Sequence, residues 1–132
     1  MSKHSVSIIL LTLTFGLVAF FSGCASSKSM PTENDQTYSL TSIDGEAPTV
    51  EAVTLELKNK EIHGNGPINR WQASVEFGKV GPMIVTRRGG PAHIMQFESR
   101  FISQMEGSVM EQKTDELVFS KTESTIVFSK SE

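Results

Sequence analysis

The chain of 132 residues has one thiol available for chemistry, because Cys24 is its only cysteine. A thiol is a nucleophile for covalent modification that no other side chain replaces. One cysteine alone forms no disulfide within the chain and supplies too few ligands for a structural zinc. It follows an apolar run, Ile8 to Phe21, and the small residues Ser22 and Gly23. This placement predicts a cysteine that is modified at the end of a leader sequence.

The leader before Cys24 has the length of a secretory signal. The run "IILLTLTFGLVAFF" contains fourteen almost wholly apolar residues after a short polar start that carries Lys3. A signal-peptide core has about 7–15 such residues, whereas a membrane-spanning helix needs about 20. The string "FSGC" resembles the lipobox of bacterial lipoproteins, in which the cysteine sulfur receives a diacylglyceryl group and the leader is then removed. We predict a lipoprotein signal peptide at 1–23 and lipidation of Cys24; an ordinary signal peptide with an incidental cysteine is the alternative.

The segment after the lipidation site predicts the location and partners of the protein. Residues 24–36, "CASSKSMPTENDQ", are small and polar and predict a flexible tether that reaches at most about 40 Å. Ala25 stands where an Asp often marks inner-membrane retention in lipoproteins. The resemblance therefore implies the periplasmic face of the outer membrane, rather than the inner membrane, of a bacterial cell envelope. The predicted partners are the membrane, through the lipid anchor, and an envelope protein; the net charge of −3 disfavours nucleic acid.

Two arginines and two glycines, Arg87 to Gly90, stand directly before a predicted helix. Free backbone N–H groups at a helix start attract anions, and guanidinium groups beside them strengthen the attraction. Arg87 and Arg88 therefore predict a site for a phosphate, a lipid headgroup or a cell-wall carboxylate. The alternative is that these arginines pair with Glu98 or with acids on neighbouring strands.

A second candidate is the stretch "GNGPINRW", Gly64 to Trp71. An aromatic ring and an arginine are the side chains that recognition surfaces use most, so Asn69, Arg70 and Trp71 are predicted ligand-binding residues. The structural alternative is a turn in which Asn65 or Asn69 caps backbone groups while Trp71 enters the core.

The remaining polar residues form no recognisable catalytic pattern. His63 and His93 are thirty residues apart, with no carboxylate at the spacing of a metal site. The chain has neither a nucleophile elbow nor a phosphate-binding loop. Its adjacent acids Asp115 and Glu116 fall in a predicted turn, where charged side chains are usually only solvated. We predict no catalytic residue, no metal, no cofactor and no enzyme activity.

The elements that position these residues are mostly strands. From Thr37 onward apolar and polar residues alternate, which is typical of half-buried antiparallel strands. The residues predicted to face inward include Leu55, Leu57, Ala73, Val75, Phe77, Leu117, Phe119, Ile126 and Phe128. Turns are predicted at Asp44-Gly45, Asn59-Lys60, Gly78 to Pro82, Thr114-Asp115 and Lys121 to Ser124.

One segment has helical periodicity instead. In "GGPAHIMQFESRFISQMEG" the apolar residues recur every three or four positions, Pro91 suits the first turn, and Gly107 suits the position after the end. We predict a mainly β (α+β) fold for a single domain at 37–130. It is an antiparallel, partly barrel-like sheet of about seven to eight strands with one helix packed on it.

The order of these landmarks resembles the META domain, or HslJ-like heat-shock family, of bacterial envelope proteins. The family's opening strand and turn are matched by "YSL" and Asp44-Gly45, and its Gly-rich loop by "IHGNGPINRW". Its pre-helix stretch and inner helical Glu and Phe are matched by "TRRGGPAHIMQFESRF", with Glu98 and Phe101. The chain departs from the family where loop and pre-helix positions can carry cysteines, since Pro67-Ile68 and Gly89-Gly90 stand there. The departure implies that packing alone holds the loop to the helix.

The resemblance implies a barrel-like sheet with a single helix, no enzyme activity and a loose link to envelope maintenance under stress. The predicted function is a membrane-anchored, non-enzymatic lipoprotein that binds or assembles near the membrane. The alternative is a carrier of a small ligand or anion that uses the loop at 64–71 and the helix start at 87–91. A cleft lined by Arg70, Arg87 and Arg88 would favour the carrier, and a flat exposed apolar patch would favour a protein partner.

Overall fold

The structure is a computed structural model that describes residues 36–50 and 53–132. The predicted signal peptide, Cys24 and the tether up to residue 35 lie outside the described residues. Within them the elements are β1 (Gln36–Ile43), β2 (Thr54–Lys58), β3 (Glu61–Asn65), β4 (Arg70–Glu76), β5 (Lys79–Val80), β6 (Ile84–Val85), α1 (Ala92–Met105), β7 (Val109–Gln112), β8 (Glu116–Lys121) and β9 (Ser124–Lys130). Within the same ranges no helix has the length and apolar character needed to cross a membrane.

Eight of the strands close into an antiparallel barrel in the order β3-β2-β1-β9-β8-β7-β5-β4, with β3 paired to β4. The short strand β6 pairs with β4 outside this circuit. Closure leaves the barrel strands without a free edge, and one face of each strand fills the interior. The mainly β fold with a single helix, predicted from the sequence, is confirmed.

The interior is built from the alternating apolar residues that the sequence predicts to face inward. Leu117 and Phe119 of β8, with Ile126 and Phe128 of β9, are each at most 1% exposed. The rings of Phe119 and Phe128 pack edge to face, with centroids 5.8 Å apart. These four predictions are confirmed, because the register of β8 against β9 keeps all four side chains on the inner face.

Phe77 is the inward prediction that is wrong. Its side chain is 99% exposed, although Val75, two residues earlier in β4, is buried. The strand ends at Glu76, which pairs with Lys79, and Phe77 and Gly78 form the turn between them with φ values of 51° and 75°. Positive φ at both central residues is typical of a type I′ turn. The predicted turn at Gly78 to Pro82 is therefore displaced, since β5 occupies part of it.

The helix α1 begins after Pro91 and ends before Gly107, whose φ of 76° is left-handed. Phe101 and Met105 are buried on its inner face, and Phe97 and Ile102 pack against the core. Its polar contacts reach the loop after β3, the turn after β1 and the end of β8. All three lie at one end of the barrel, which we call the helix end. The opposite end, where β1 begins at Gln36, is called the tether end.

Candidate functional site

The loop between β3 and β4 is fastened to the helix by the carboxylate of Glu98. Its Oε1 accepts hydrogen bonds from the backbone N–H groups of Ile68 and Asn69, at 2.8 and 2.9 Å. Its Oε2 accepts a third from Nδ2 of Asn69, at 2.6 Å. Glu98 is only 7% exposed, so these donors replace the water that an ionised carboxylate requires. The arginines predicted to pair with Glu98 are not its partners.

Asn69 extends this network to the segment before the helix. Its Oδ1 accepts from the backbone N–H of Arg88 at 2.7 Å and from the Thr86 hydroxyl at 3.0 Å. The backbone N–H of Arg70 donates to the same hydroxyl at 3.0 Å. Asn69 therefore caps backbone groups, as the structural alternative in the sequence predicted, and its amide is occupied on both sides. It positions the arginine-bearing segment rather than facing outward.

Ile68 and Gly90, which belong to the two stretches where the resemblance implied that cysteines can stand, touch each other in this fold. A Cβ atom at Gly90 would overlap the side chain of Ile68, which packs directly against that glycine. Packing thus helps to hold the loop to the helix, as the absence of cysteines at these positions implied. Packing does not do it alone, because Glu98 supplies three hydrogen bonds to the same loop. No local sequence pattern indicates this role, since the partners of Glu98 lie about thirty positions away along the chain.

Trp71 enters the core, as the structural alternative predicted. Its side chain is 4% exposed and its ring lies 5.4 Å from that of Phe101. The indole covers Gly64, where any Cβ would overlap the ring. Its Nε1–H finds no acceptor among the described residues. The indole therefore contributes packing here, and its ring is not presented on an outer recognition surface.

Arg87 and Arg88 line an open groove of about 800 Å³ between the helix and the segment that follows β5. Both arginines are exposed, and neither side chain makes a hydrogen bond or ion pair with the described residues. Apolar side chains supply part of the groove's lining: Met83, Val85, Met95 and Ile102. We call this the arginine groove. Free guanidinium groups beside an apolar surface suit a ligand that has both an anionic and an apolar part.

The other charged groups of the arginine groove are already engaged. Glu106 Oε2 accepts from the backbone N–H of Met83 at 3.0 Å. Lys121 Nζ donates to the carbonyl oxygens of Ser103 and Glu106, at 2.8 and 2.7 Å, and so caps the end of the helix. At the helix start no side chain caps Ala92, and the Gly90 N–H contacts the Met95 sulfur at 3.4 Å. Among the described residues of the groove, the cations left for a ligand are therefore the two arginines.

Arg70 lies in a separate concavity of about 550 Å³ on the outside of the sheet. There it lies beside a row of paired residues that crosses four strands: Glu56, His63, Gln72 and Ile84. His63 lies 3.3 Å from Glu61 on the same strand, with both side chains largely exposed. The three predicted arginines are thus divided between two surfaces that adjoin at Val85 and Thr86. In the described part of the chain no three His, Cys, Asp or Glu side chains gather as metal ligands.

A second carboxylate, Asp44, fastens the turn after β1 at the helix end. Its Oδ1 accepts from the Thr125 N–H at 2.8 Å and from the Ser124 hydroxyl at 2.9 Å. Its Oδ2 lies 3.3 Å from Arg100 of the helix. The Thr125 N–H, followed by the Ser124 hydroxyl, holds the pKa of Asp44 below its ordinary value of 3.8.

Comparison with known families gives a match to the META domain over residues 31–132. The chain belongs to the META domain family. The match contains the whole domain predicted at 37–130. It also includes the residues of the Glu98 contacts and of the arginine groove.

Solved structures agree with this assignment at the level of the fold. An NMR structure of a protein from Burkholderia xenovorans is 18% identical, covers 99% of both chains and has a TM-score of 0.59. A second NMR structure is 14% identical, covers 76% of this chain and 95% of that chain, and also has a TM-score of 0.59. A search of curated protein sequences finds no match. At these identities the likeness shows that the fold is shared.

Proposed function

We propose that this protein is a lipid-anchored, non-enzymatic binding protein of the bacterial cell envelope. Its META barrel takes an anionic ligand with an apolar part in the arginine groove. The observation that carries this proposal is a pair of guanidinium groups, Arg87 and Arg88, that lie beside an apolar lining and have no partner within 36–50 and 53–132. The proposal joins the membrane anchor expected at Cys24 to the carrier that the sequence offered as an alternative. It uses Arg87 and Arg88 alone, because Arg70 lies on a separate surface and the expected cleft with all three arginines is not formed.

The position of the arginines supports binding more than it supports surface charge alone. The Arg88 backbone is fixed by Asn69, which is itself held by Glu98. The guanidinium groups therefore extend from a backbone that is already ordered. A ligand that binds them loses little free energy in fixing this segment. Both acids of the groove accept hydrogen bonds from backbone N–H groups. This structural use of Glu98 and Glu106 supports a binding role over acid–base catalysis.

The groove is tested by titration with soluble lipids while backbone amide resonances are followed by NMR. We expect dihexanoyl phosphatidylglycerol to shift the amides of Arg87 to Gly90, and dihexanoyl phosphatidylcholine to shift them much less. The double variant Arg87→Gln/Arg88→Gln should weaken binding of the anionic lipid at least about tenfold, the effect of losing about 1.4 kcal/mol. Arg100→Gln is the matched control, because Arg100 is exposed and pairs with Asp44 outside the groove. Unmoved amides at millimolar lipid would overturn the groove as a binding site.

The anchor has its own measurement, intact-mass spectrometry of the protein purified from bacterial membranes. We expect a chain that starts at Cys24 and carries three acyl groups. A free sulfhydryl, or a chain that starts elsewhere, would overturn the placement at the membrane. The proposed site in the envelope also fits the maintenance role under stress that the resemblance implies. That role predicts a lower survival of heated cells when the gene is deleted.

A further inference from the structure

The Phe77 turn at the tether end is the most unusual exposed feature of the barrel. Its phenyl ring is 99% exposed, so the fold gains no burial from it. Its φ of 51° is left-handed, a conformation that is costly for every residue with a bulky side chain. Exposure and backbone strain fall on the same residue, and neither contributes to the stability of the barrel. Backbone strain that persists at one position indicates that the residue there has a function other than stabilising the fold.

Two other turns of this barrel show what a turn of the same type usually holds, whereas in the turn after β8 only Thr122 has a positive φ, of 53°. Asp44-Gly45 and Asn59-Lys60 also have positive φ at both central residues. They begin with Asp and Asn, which adopt left-handed conformations more readily than other residues with a side chain. In the Phe77 turn a phenylalanine stands in the place of that Asp or Asn. The turn geometry alone does not select an aromatic residue there.

The location of the turn indicates what it meets. Gln36, the first described residue of β1, pairs with Leu57 near the turn at Asn59-Lys60. The carbonyl oxygen of Lys60 in turn accepts from the Val75 N–H, two residues before Phe77. Phe77 therefore lies at the tether end, where the chain enters the barrel at Gln36. The arginine groove lies at the helix end, on the opposite side.

We propose that the Phe77 turn inserts into the surface of a lipid bilayer and sets the orientation of the barrel on the membrane. The inference rests on the proposed function, because the anchor at Cys24 brings the tether end within about 40 Å of the lipid. A tethered domain has a high effective concentration at the surface, so a single buried aromatic ring suffices to select one orientation. Nearby ammonium groups such as Lys60 and Lys79 extend to the headgroup level. The arginine groove then faces away from the membrane.

The acidic residues at the tether end determine which kind of lipid surface the Phe77 turn is expected to contact. Glu61, Glu76 and Glu116 lie there together with the lysines, so the charge of this end is mixed. Attraction to an anionic surface therefore adds little, and the apolar contact carries the interaction. Vesicles of zwitterionic phosphatidylcholine are consequently the probe of choice.

The test uses the full anchored protein in phosphatidylcholine vesicles, with Phe77→Trp as the reporting variant. Trp71 is buried and gives a constant background. We expect brominated phosphatidylcholine to quench the tryptophan at position 77 at least about twofold. Thr122→Trp is the matched control, because Thr122 is exposed, has a φ of 53° and lies in a turn at the helix end. Its tryptophan should be quenched no more than the background.

Flotation of the same vesicles measures attachment through the lipid anchor separately from insertion of the Phe77 turn. Protein that floats while its Phe77→Trp emission is unquenched would overturn the inserted turn and leave the anchor standing. Protein that neither floats nor is quenched would overturn both. Equal quenching at positions 77 and 122 would overturn the orientation.

A second variant, Phe77→Asn, separates membrane contact from folding. Asn tolerates the left-handed backbone, so we expect the Tm to rise by about 2–5 °C. A fall in Tm would show that Phe77 serves the fold and would overturn the proposal. In the vesicle assay, a tryptophan placed at 79 in the Phe77→Asn background should lose the quenching that Lys79→Trp shows with Phe77 present.

Discussion

Two carboxylates at the helix end, Glu98 and Asp44, make almost the same set of contacts in different surroundings. Glu98 accepts from two backbone N–H groups and one side chain, Asp44 accepts from one backbone N–H and from side chains, and each links a turn to a distant segment. Glu98 is 7% exposed, whereas 35% of the Asp44 side chain remains exposed. Water can replace the protein partners of Asp44 when they move away. At Glu98 access to water is slight, so a lost partner leaves a buried group unpaired.

The difference teaches that burial, rather than the number of hydrogen bonds, decides how strongly a carboxylate fixes a loop. A buried donor or acceptor without a partner costs about 1–3 kcal/mol, while an exposed one is resolvated. The loop fastened by Glu98 holds Asn69 and, through it, the backbone of Arg88. The strong contact therefore lies beneath the arginine groove, and the weak one lies at the turn after β1.

Glu98→Ala should give the largest effect, a loss of about 3 kcal/mol in the free energy of unfolding. Three donors lose their acceptor, and two of them are backbone N–H groups of the loop. Urea unfolding of the variant and the natural protein measures the loss. Glu98→Gln is the matched control, since its carbonyl oxygen still serves both backbone groups, and it should lose only about 1–2 kcal/mol. Equal losses in the two variants would contradict the role of Oε1 as the acceptor for the two backbone N–H groups.

Asn69→Ala comes next, with an expected loss of about 2 kcal/mol. The variant removes the donor to Glu98 and the acceptor for the Arg88 N–H, but leaves the backbone bonds to Glu98 intact. Urea unfolding measures stability, and NMR of Arg87 to Gly90 measures order in that segment. Unchanged resonances of Arg88 in a folded variant would show that Asn69 does not position the groove.

Gly90→Ala tests the packing that accompanies the Glu98 contacts, with an expected loss of about 1 kcal/mol. The new methyl group would overlap Ile68, whose side chain must rotate away from the helix start. Gly89→Ala is the control, because a Cβ at Gly89 meets no atom within 4 Å. It should leave the melting temperature unchanged or slightly raised. Equal melting temperatures of the two variants would contradict close packing of Ile68 against Gly90.

Asp44→Asn should give the smallest effect, and one that depends on pH. The pKa of Asp44 is lowered in the folded state, so its contribution is complete above the unfolded value near 3.8. It is lost as the pH falls through the folded-state pKa. The difference in stability between the natural protein and Asp44→Asn should therefore be constant at neutral pH and shrink below about pH 4. A difference in stability that grows on acidification would contradict a lowered pKa of Asp44 in the folded state.

Local patterns predicted the architecture well because each depends on neighbours in the sequence. Pro91 and Gly107 bounded the helix correctly, and alternation identified the inward face of β8 and β9. Alternation failed at Phe77, where it runs one residue past the end of the strand. The type I′ turn there lacks the Asn or Asp that would have revealed it.

The candidate site was only partly predictable, because its order comes from contacts between distant residues. Arg87 and Arg88 were identified from charge beside a helix start, and they do line a groove. The sequence also offered the correct structural alternative for Trp71. No local signal linked Glu98 to the loop at Ile68, and none divided Arg70 from the other two arginines. The surface on which Arg70 lies is known only once the register of β3 against β4 is known.

The central claim, that a buried carboxylate fixes the loop beneath the arginine groove, is tested most directly by native-state hydrogen exchange. One experiment compares the amides of Ile68 and Asn69, which donate to Glu98, with that of Thr125, which donates to Asp44. We predict that Ile68 and Asn69 exchange only in openings close in free energy to global unfolding, and that Thr125 exchanges through smaller ones. Faster exchange at Ile68 and Asn69 than at Thr125 would contradict the claim.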